Sequence, residues 1–162
     1  MLVLDSHSDS PSQMVRAWYF MENNVWGQVD FPKMKAGGVD AAFFALYNSP
    51  ALTPDESTRY VLQMLSELYD QIDAAEGRVE LAFNSEELLE NKKRGLTSVL
   101  ITMENGAPIQ KSLSLLRMFY RMGVIGMTLT HNADNEICDS CAGQRRWGGL
   151  SPFGREVVAE MN

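Results

Sequence analysis

The sequence predicts an α/β fold in which short buried strands alternate with amphipathic helices. Four times the chain runs from a short apolar stretch through a loop into a segment with apolar residues at helical spacing. This alternation is typical of parallel βα units, in which each helix connects two parallel strands. The 162 residues are 45% hydrophobic and 22% charged, which is ordinary for a globular domain. We therefore expect a single domain over residues 1–162.

The predicted strands are short and apolar, and a loop follows each of them. They cover residues 2–6, 38–47, 98–103 and 124–130. In the second strand both sets of alternating positions are mostly apolar, which indicates a strand that is buried on both faces.

Capping residues mark where the predicted helices begin. Thr53, Pro54 and Glu56 form a capping box that begins a long helix, and this helix ends near Gly77. The remaining helices follow at three places along the chain: after Asn84 or Ser85, across Ile109 to Tyr120, and from Ser151 and Pro152.

Four βα units in this length correspond to half of an eight-stranded TIM-like (β/α)8 barrel, which typically has about 250 residues. A four- or five-stranded open sheet of the flavodoxin type is the alternative. In half of a barrel, the first and fourth strands are unpaired edges with exposed apolar faces. We therefore expect the chain to need a carboxy-terminal half or an oligomer partner.

Charge and hydropathy exclude several classes of partner. The net charge of −7 argues against nucleic acid, because phosphate binding requires clustered Lys and Arg. Apolar stretches are too short for a membrane span, and the first residues lack the pattern of a signal peptide, so we expect a cytoplasmic location. Cys138 and Cys141 form one C-x-x-C in a polar loop, and without a second pair we favour a structural reading over a metal or redox site.

Side chains that can bind metal ions end three of the predicted strands. His7 and Asp9 end the first strand, where two-residue spacing in an extended chain places both side chains on one side. Glu104 ends the third strand and His131 ends the fourth. Active sites of parallel α/β folds lie at these strand ends, and zinc accepts imidazole and carboxylate ligands. Each feature alone also occurs by chance; their order at strand ends predicts a metal site, with Glu104 as a candidate bridge between two ions.

Five segments resemble, in order and spacing, the motifs of the renal (membrane) dipeptidase family of zinc metallopeptidases. They are residues 5–11 (DSHSDSP), 28–45, 103–106 (MENG), 128–132 (TLTHN) and 149–162. The resemblance covers nearly the whole chain, and several separate motifs agree, so it is more specific than one short pattern.

The resemblance implies a TIM-like barrel with two zinc ions that hydrolyses dipeptides. It implies that His7 and Asp9 bind the first zinc, that Glu104 bridges both ions, and that His131 binds and polarises the substrate carbonyl or its oxyanion. In the family, two histidines on later strands complete the second zinc site, but this chain contains only His7 and His131. We therefore expect at most one zinc and a truncated chain that is weakly active or inactive alone.

Two other functions are compatible with the sequence. The chain could be a non-catalytic half-barrel that binds a partner and retains a remnant metal site. It could also be an open-sheet acidic binding protein unrelated to peptidases.

Several further residues near the first strand have two interpretations each. The segment after the first strand contains four aromatic residues, Trp18, Tyr19, Phe20 and Trp26. They could line a dipeptide pocket or pack in the core of a helix, and we favour the helix core because it is the commoner location of such residues. Asp5 could orient the His7 ring, but by alternation it more readily faces the opposite side of the strand.

Overall fold

The computed structural model describes all 162 residues, and it has an α/β architecture. A single 3-10 turn covers Ala107–Ile109. The strands and helices in chain order are β1 (Leu4–Ser8), α1 (Pro11–Met14), α2 (Phe31–Gly37), β2 (Ala41–Tyr47), α3 (Pro54–Asp73), β3 (Val79–Leu81), α4 (Ser85–Lys93), β4 (Thr97–Glu104), α5 (Leu113–Arg121), β5 (Val124–Thr128) and α6 (Pro152–Met161).

The strands form one sheet in the order β1-β2-β4-β3, and β5 also pairs with β4. β1 runs parallel to β2, with Leu4 opposite Ala41, and β3 runs parallel to β4, with Val79 opposite Thr97. β1 and β5 each pair with one neighbouring strand, as expected because they correspond to the first and fourth strands predicted from the sequence. The α/β class with parallel strands is therefore confirmed.

The structure corrects the predicted elements at three places. Gly38 is the C-cap of α2 with φ +68°, so β2 begins at Ala41 rather than at residue 38. The sequence analysis missed α2 itself, whose N-cap Asp30 accepts a hydrogen bond from the backbone N–H of Lys33. β3 was also missed, because three residues are too few to show an alternating pattern.

The predicted caps of the longer helices are present. Thr53 donates to Glu56 through both its backbone N–H and its hydroxyl, at 2.8 Å each, and its Oγ1 accepts from the Glu56 N–H. Ser151 caps α6 by accepting from the N–H of Gly154. None of the helices combines the length and apolar character that a membrane span requires.

The chain divides into two compact units, formed by residues 1–46 with 63–102 and by residues 47–62 with 103–162. Phe20 and Phe44 are fully buried in the first unit, where their rings meet edge to face at 5.3 Å. The second unit is centred on other buried apolar residues, including Met103, Ile109, Phe119, Ile137 and Val157. Each unit therefore has its own core, and the single domain over residues 1–162 remains a prediction.

Candidate metal centre

The end of β1 presents an imidazole and a carboxylate to solvent. His7 lies within the strand and Asp9 follows it, and their side chains are 49% and 59% exposed. His7 Nε2 is 3.6 Å from Asp9 Oδ1, so the prediction that the two side chains share one side is confirmed. The Asp5 carboxylate accepts a hydrogen bond from the backbone N–H of His7 at 3.2 Å. Asp5 therefore supports the strand backbone beneath this pair.

The ends of β4 and β5 bring a second pair together. Glu104 is the last residue of β4, and His131 lies three residues beyond the end of β5. His131 Nε2 is 3.4 Å from Glu104 Oε1, and the Glu104 side chain is only 13% exposed. The Tyr47 ring packs against the His131 ring at 5.2 Å with an interplanar angle of 73°. An aromatic contact and a carboxylate thus restrict the orientation of the imidazole.

His7 and Asp9 in the first unit and Glu104 in the second unit carry side chains of the types that bind metal ions. Each offers one ligand atom, an imidazole nitrogen or a carboxylate oxygen. One imidazole nitrogen and two carboxylate oxygens are suitable ligands for zinc, and catalytic zinc sites use three protein ligands with one open position. The donor chemistry of these three residues therefore fits a catalytic metal.

Three asparagines frame the second pair, and the sequence analysis did not single them out. Asn48 and Asn105 are buried, at 0% and 3% exposure, and Asn135 is partly buried. Asn48 directly follows β2 and Asn105 directly follows Glu104. The strand-end position that identified Glu104 would also have identified Asn48.

Polar side chains of the loop after β5 form hydrogen bonds with the backbone of the same loop. Asp139 accepts from the N–H groups of Trp147 and Gly149 at 3.0 Å, and Ser140 donates from Oγ to the His131 carbonyl at 2.7 Å. Burial raises the pKa of Asp139, but four backbone N–H groups together hold that pKa below its usual value. Asp139 and Ser140 therefore shape the segment that carries His131.

The two cysteines of this loop differ in their environment. Cys138 is buried and Cys141 is exposed, and both are free thiols. Burial raises the pKa of the Cys138 thiol, which keeps it in its less reactive protonated form.

The aromatic residues after β1 differ in how deeply they are buried. Phe20 is fully buried, but it lies in a loop rather than in a helix. Tyr19 is 51% exposed and Trp26 is 92% exposed, so the helix-core interpretation is wrong for both. The reason is that this segment folds as an irregular loop between α1 and α2, which gives its side chains no common face.

Comparisons with known proteins identify related dipeptidases. The family model of the membrane dipeptidases (peptidase family M19) matches residues 1–162. The chain is 32% identical to dipeptidase aclJ of Aspergillus oryzae, over 93% of this chain and 38% of that protein. It is 29% identical to human dipeptidase 3, over 99% of this chain and 34% of that protein. The chain thus spans less than half the length of these relatives.

Solved structures show the same fold. The chain matches the metallopeptidase dipeptidase AC with a TM-score of 0.88 and 24% identity, over 100% of this chain and 55% of that one. It matches a Rhodobacter sphaeroides metallopeptidase, liganded with a phosphinate mimic of the dipeptide L-Ala-D-Ala, with a TM-score of 0.87 and 23% identity, over 99% and 55% of the two chains. Coverage of about half of each solved chain is consistent with part of a TIM-like barrel. Because the family model matches the whole length of the chain, this protein belongs to the membrane dipeptidase family, peptidase family M19.

Proposed function

We propose that this chain supplies one part of the active site of a zinc-dependent dipeptidase. In this proposal His7, Asp9 and Glu104 bind zinc, and His131 binds the carbonyl oxygen of the substrate. The observation that carries it is the pairing of ligand-type side chains at strand ends, with His7 Nε2 3.6 Å from Asp9 Oδ1 and His131 Nε2 3.4 Å from Glu104 Oε1. Membership of a family of dipeptidases supports the reaction class.

The exposure of the proposed ligands suits a catalytic site. His7 and Asp9 are about half exposed, so solvent reaches the end of β1, whereas Glu104 is largely buried. Zinc bound by these residues would supply the Lewis acidity that lowers the pKa of bound water to about 7. In this proposal the largely buried Glu104 carboxylate is the ligand that two zinc ions would share, as the family resemblance implies.

In this proposal His131 acts on the substrate rather than as a zinc ligand. Its Nε2 lies 3.4 Å from Glu104 Oε1, and its ring packs edge-on against Tyr47. A fixed imidazole N–H can donate a hydrogen bond to a carbonyl oxygen, and this bond strengthens as negative charge develops in the transition state. We therefore assign substrate binding and carbonyl polarisation to His131.

A dipeptide is the substrate that the comparisons support. Several relatives are named dipeptidases, and one similar solved structure holds a phosphinate mimic of the dipeptide L-Ala-D-Ala. In the proposed reaction His131 holds the carbonyl oxygen of the scissile amide, and His7, Asp9 and Glu104 hold the zinc. Water adds to the amide carbon, the C–N bond breaks, and the amine takes up a proton as two amino acids leave.

Further βα units are part of the proposal, because two histidines in this chain cannot complete a second zinc site. α5, β5 and the end of α6 border a cleft of about 370 Å³ with both apolar and polar lining residues. Tyr120 and Met161 line it and are 69% and 44% exposed. We propose that the remaining half of a dipeptidase barrel covers this cleft and the free edge of β5, either in one polypeptide or as a separate chain.

Metal analysis of single variants tests the assignment. We expect His7→Ala and Asp9→Ala to lower zinc content as well as activity, because each removes a ligand. His131→Ala should retain the metal and lower turnover, which makes it the matched histidine control. Zinc content is measured on the purified proteins beside initial rates on a simple dipeptide. Equal metal loss in all three variants would contradict the role assigned to His131.

A non-catalytic binding module is the alternative, and the presence of only two histidines favours it. Such a module would fold and retain a metal site but would hydrolyse nothing. Dipeptidase activity measured with a family carboxy-terminal half supplied in trans separates the two functions. Activity that needs both parts supports the enzyme, whereas stable association without hydrolysis supports the module.

A further inference from the structure

Three asparagines form a continuous hydrogen-bonded network next to Glu104 and His131. Asn105 Nδ2 donates to Asn48 Oδ1 at 2.9 Å, and Asn48 Nδ2 donates to the Asn105 carbonyl at 2.8 Å. Asn135 Nδ2 donates to Asn105 Oδ1 at 3.0 Å. We call Asn48, Asn105 and Asn135 the asparagine network. Because two members are almost fully buried, their amides depend on one another for hydrogen bonds.

One end of the asparagine network holds the backbone of Glu104. The Glu104 carbonyl accepts from Asn48 Nδ2 at 2.8 Å and from the Asn48 backbone N–H at 3.3 Å. These two bonds fix the last residue of β4 to the residue that follows β2. They therefore restrict the point from which the Glu104 side chain projects.

The other end of the asparagine network holds the segment that carries His131. Asn135 Nδ2 donates to the carbonyl of Leu129 at 2.7 Å, two residues before His131. The same carbonyl accepts from the N–H of Gly106 at 3.2 Å. The Leu129 carbonyl is thus tied both to the turn after Glu104 and to the network.

The backbone at Asn105 explains why an asparagine suits this position. Its φ is +76°, in the left-handed region, which asparagine tolerates better than most residues other than glycine. Glycine would permit the same backbone but would supply no amide. Asparagine at this position therefore provides both the turn and a side chain that links Asn48 to Asn135.

We infer that Asn48, Asn105 and Asn135 are positioning residues that set the placement of Glu104 relative to His131. The inference rests on the proposed function, since it gives the network a role in metal binding and substrate binding. None of the three amides needs to touch zinc or substrate. Removal of one amide lets the turn after β4 and the segment before His131 move independently, which separates a carboxylate and an imidazole that must act together.

Two variants and one matched control test the inference. Asn105→Gly keeps the left-handed backbone and removes the central amide, and Asn135→Ala removes the partly buried end of the network. Asn91→Ala is the control, because Asn91 is also buried and its side-chain amide donates to the Leu81 carbonyl and to Ser98 Oγ, at 3.2 Å each. Ser98 lies in β4, six positions before Glu104. All three variants should lose some stability, so stability alone cannot identify a positioning role.

The first readout is the proton NMR spectrum of the metal-free protein, in which only two histidines give ring signals. We expect the His131 signals to carry a ring-current shift from Tyr47, because the two ring centroids are 5.2 Å apart. We expect these signals to shift or broaden in Asn105→Gly and Asn135→Ala. The His7 signals should stay in place, and Asn91→Ala should resemble the wild-type protein.

The second readout is the affinity for Co²⁺, a visible substitute for zinc. We expect a loss of about 10-fold in Asn105→Gly and Asn135→Ala, because removing partners that orient a ligand typically weakens metal binding by 10–100-fold. Asn91→Ala should bind Co²⁺ as the wild-type protein does. If Asn105→Gly does not fold, Asn135→Ala carries the test.

Two results would overturn the inference. One is a folded Asn135→Ala protein whose His131 signals and Co²⁺ affinity match the wild type, and the other is an equal change in Asn91→Ala. Failure of the proposed function gives a different pattern, in which wild-type and His7→Ala proteins bind Co²⁺ equally poorly. In that pattern the His131 signals still decide whether the network places the imidazole.

Discussion

The two pairs of candidate site residues are held in different ways. His7 and Asp9 lie two residues apart on an extended chain, and both side chains are about half exposed. Glu104 and His131 lie 27 residues apart (131 − 104), and the Glu104 side chain is 13% exposed. Strand geometry alone brings the first pair together, whereas the second pair depends on tertiary hydrogen bonds and packing.

This difference predicts where the site is most sensitive to mutation. Ile137 is 1% exposed in the loop after β5, and it packs against both Gly106 and Gly154. Gly106 lies in the turn after Glu104, and Gly154 lies in the first turn of α6. Changes around Ile137 should therefore disturb the second pair, while changes near the first pair should have local effects.

The largest effect is expected from Ile137→Ala. Removing a fully buried branched side chain typically lowers the free energy of unfolding by about 2–5 kcal/mol, because a cavity remains. Val25→Ala, in the loop after β1, is the control: Val25 is 88% exposed, and its loss should change that free energy by less than about 0.5 kcal/mol. Urea unfolding of both variants measures the difference. Similar values for both would mean that the two loops are equally loosely packed.

A smaller loss is expected from Gly106→Ala. A Cβ at this position would lie 2.4 Å from Ile137 Cδ1 and 3.1 Å from the Leu129 carbonyl oxygen, so side chain and backbone must both move. Overpacking of this kind typically lowers the free energy of unfolding by about 1–3 kcal/mol. Gly37→Ala is the matched control, because its nearest neighbour would be 3.9 Å away. Urea unfolding should show a loss only in Gly106→Ala, and a stable Gly106→Ala protein would contradict the close packing.

Loss of the α6 cap should have a comparable or slightly smaller effect. Ser151 Oγ accepts from the N–H of Gly154 at 2.8 Å and donates to the Glu136 carbonyl at 2.6 Å. Ser151→Ala should lower the free energy of unfolding by about 0.5–2 kcal/mol, the usual value for an N-cap. Ser85→Ala removes an exposed hydroxyl that contacts only Glu86 at 3.2 Å, and it should be nearly neutral. Thermal unfolding distinguishes them, and equal midpoints would mean that the cap contributes little.

The same contrast explains how much of the site could be predicted from sequence. The spacing of His7 and Asp9 fixes their relative direction, so their approach could be predicted from two-residue periodicity. Glu104 could be identified as a strand-end carboxylate. The hydrogen bonds that connect it to Asn48 and, through the asparagine network, to Asn135 could not be predicted, because these residues are 56 and 31 positions away in the sequence (104 − 48 and 135 − 104). No local pattern records contacts at such distances.

The fold shows the same division between local and tertiary information. The capping box at Thr53 and Glu56 is a local signal, and the helix that it predicts is present. The short strand β3 is stabilised by its pairing with β4 rather than by its own three residues, so its sequence gives no sign of it. The loop that contains Trp26 was misjudged for a related reason, because aromatic content indicates burial only where a regular element supplies a buried face.

The smallest effect is expected from the charge of Asp139, which lies in the loop that carries His131. Burial raises the pKa of Asp139, but its four backbone N–H partners lower it further, so the folded protein favours the ionised carboxylate. A lowered pKa contributes stability above the pKa of the unfolded chain, and this contribution is lost as the pH falls through the folded value. Asp139→Asn should therefore show a smaller drop in unfolding temperature between pH 7 and pH 3 than the wild-type protein. An identical drop in both would mean that the Asp139 charge does not stabilise this loop, and the second pair would then depend on packing and uncharged amides alone.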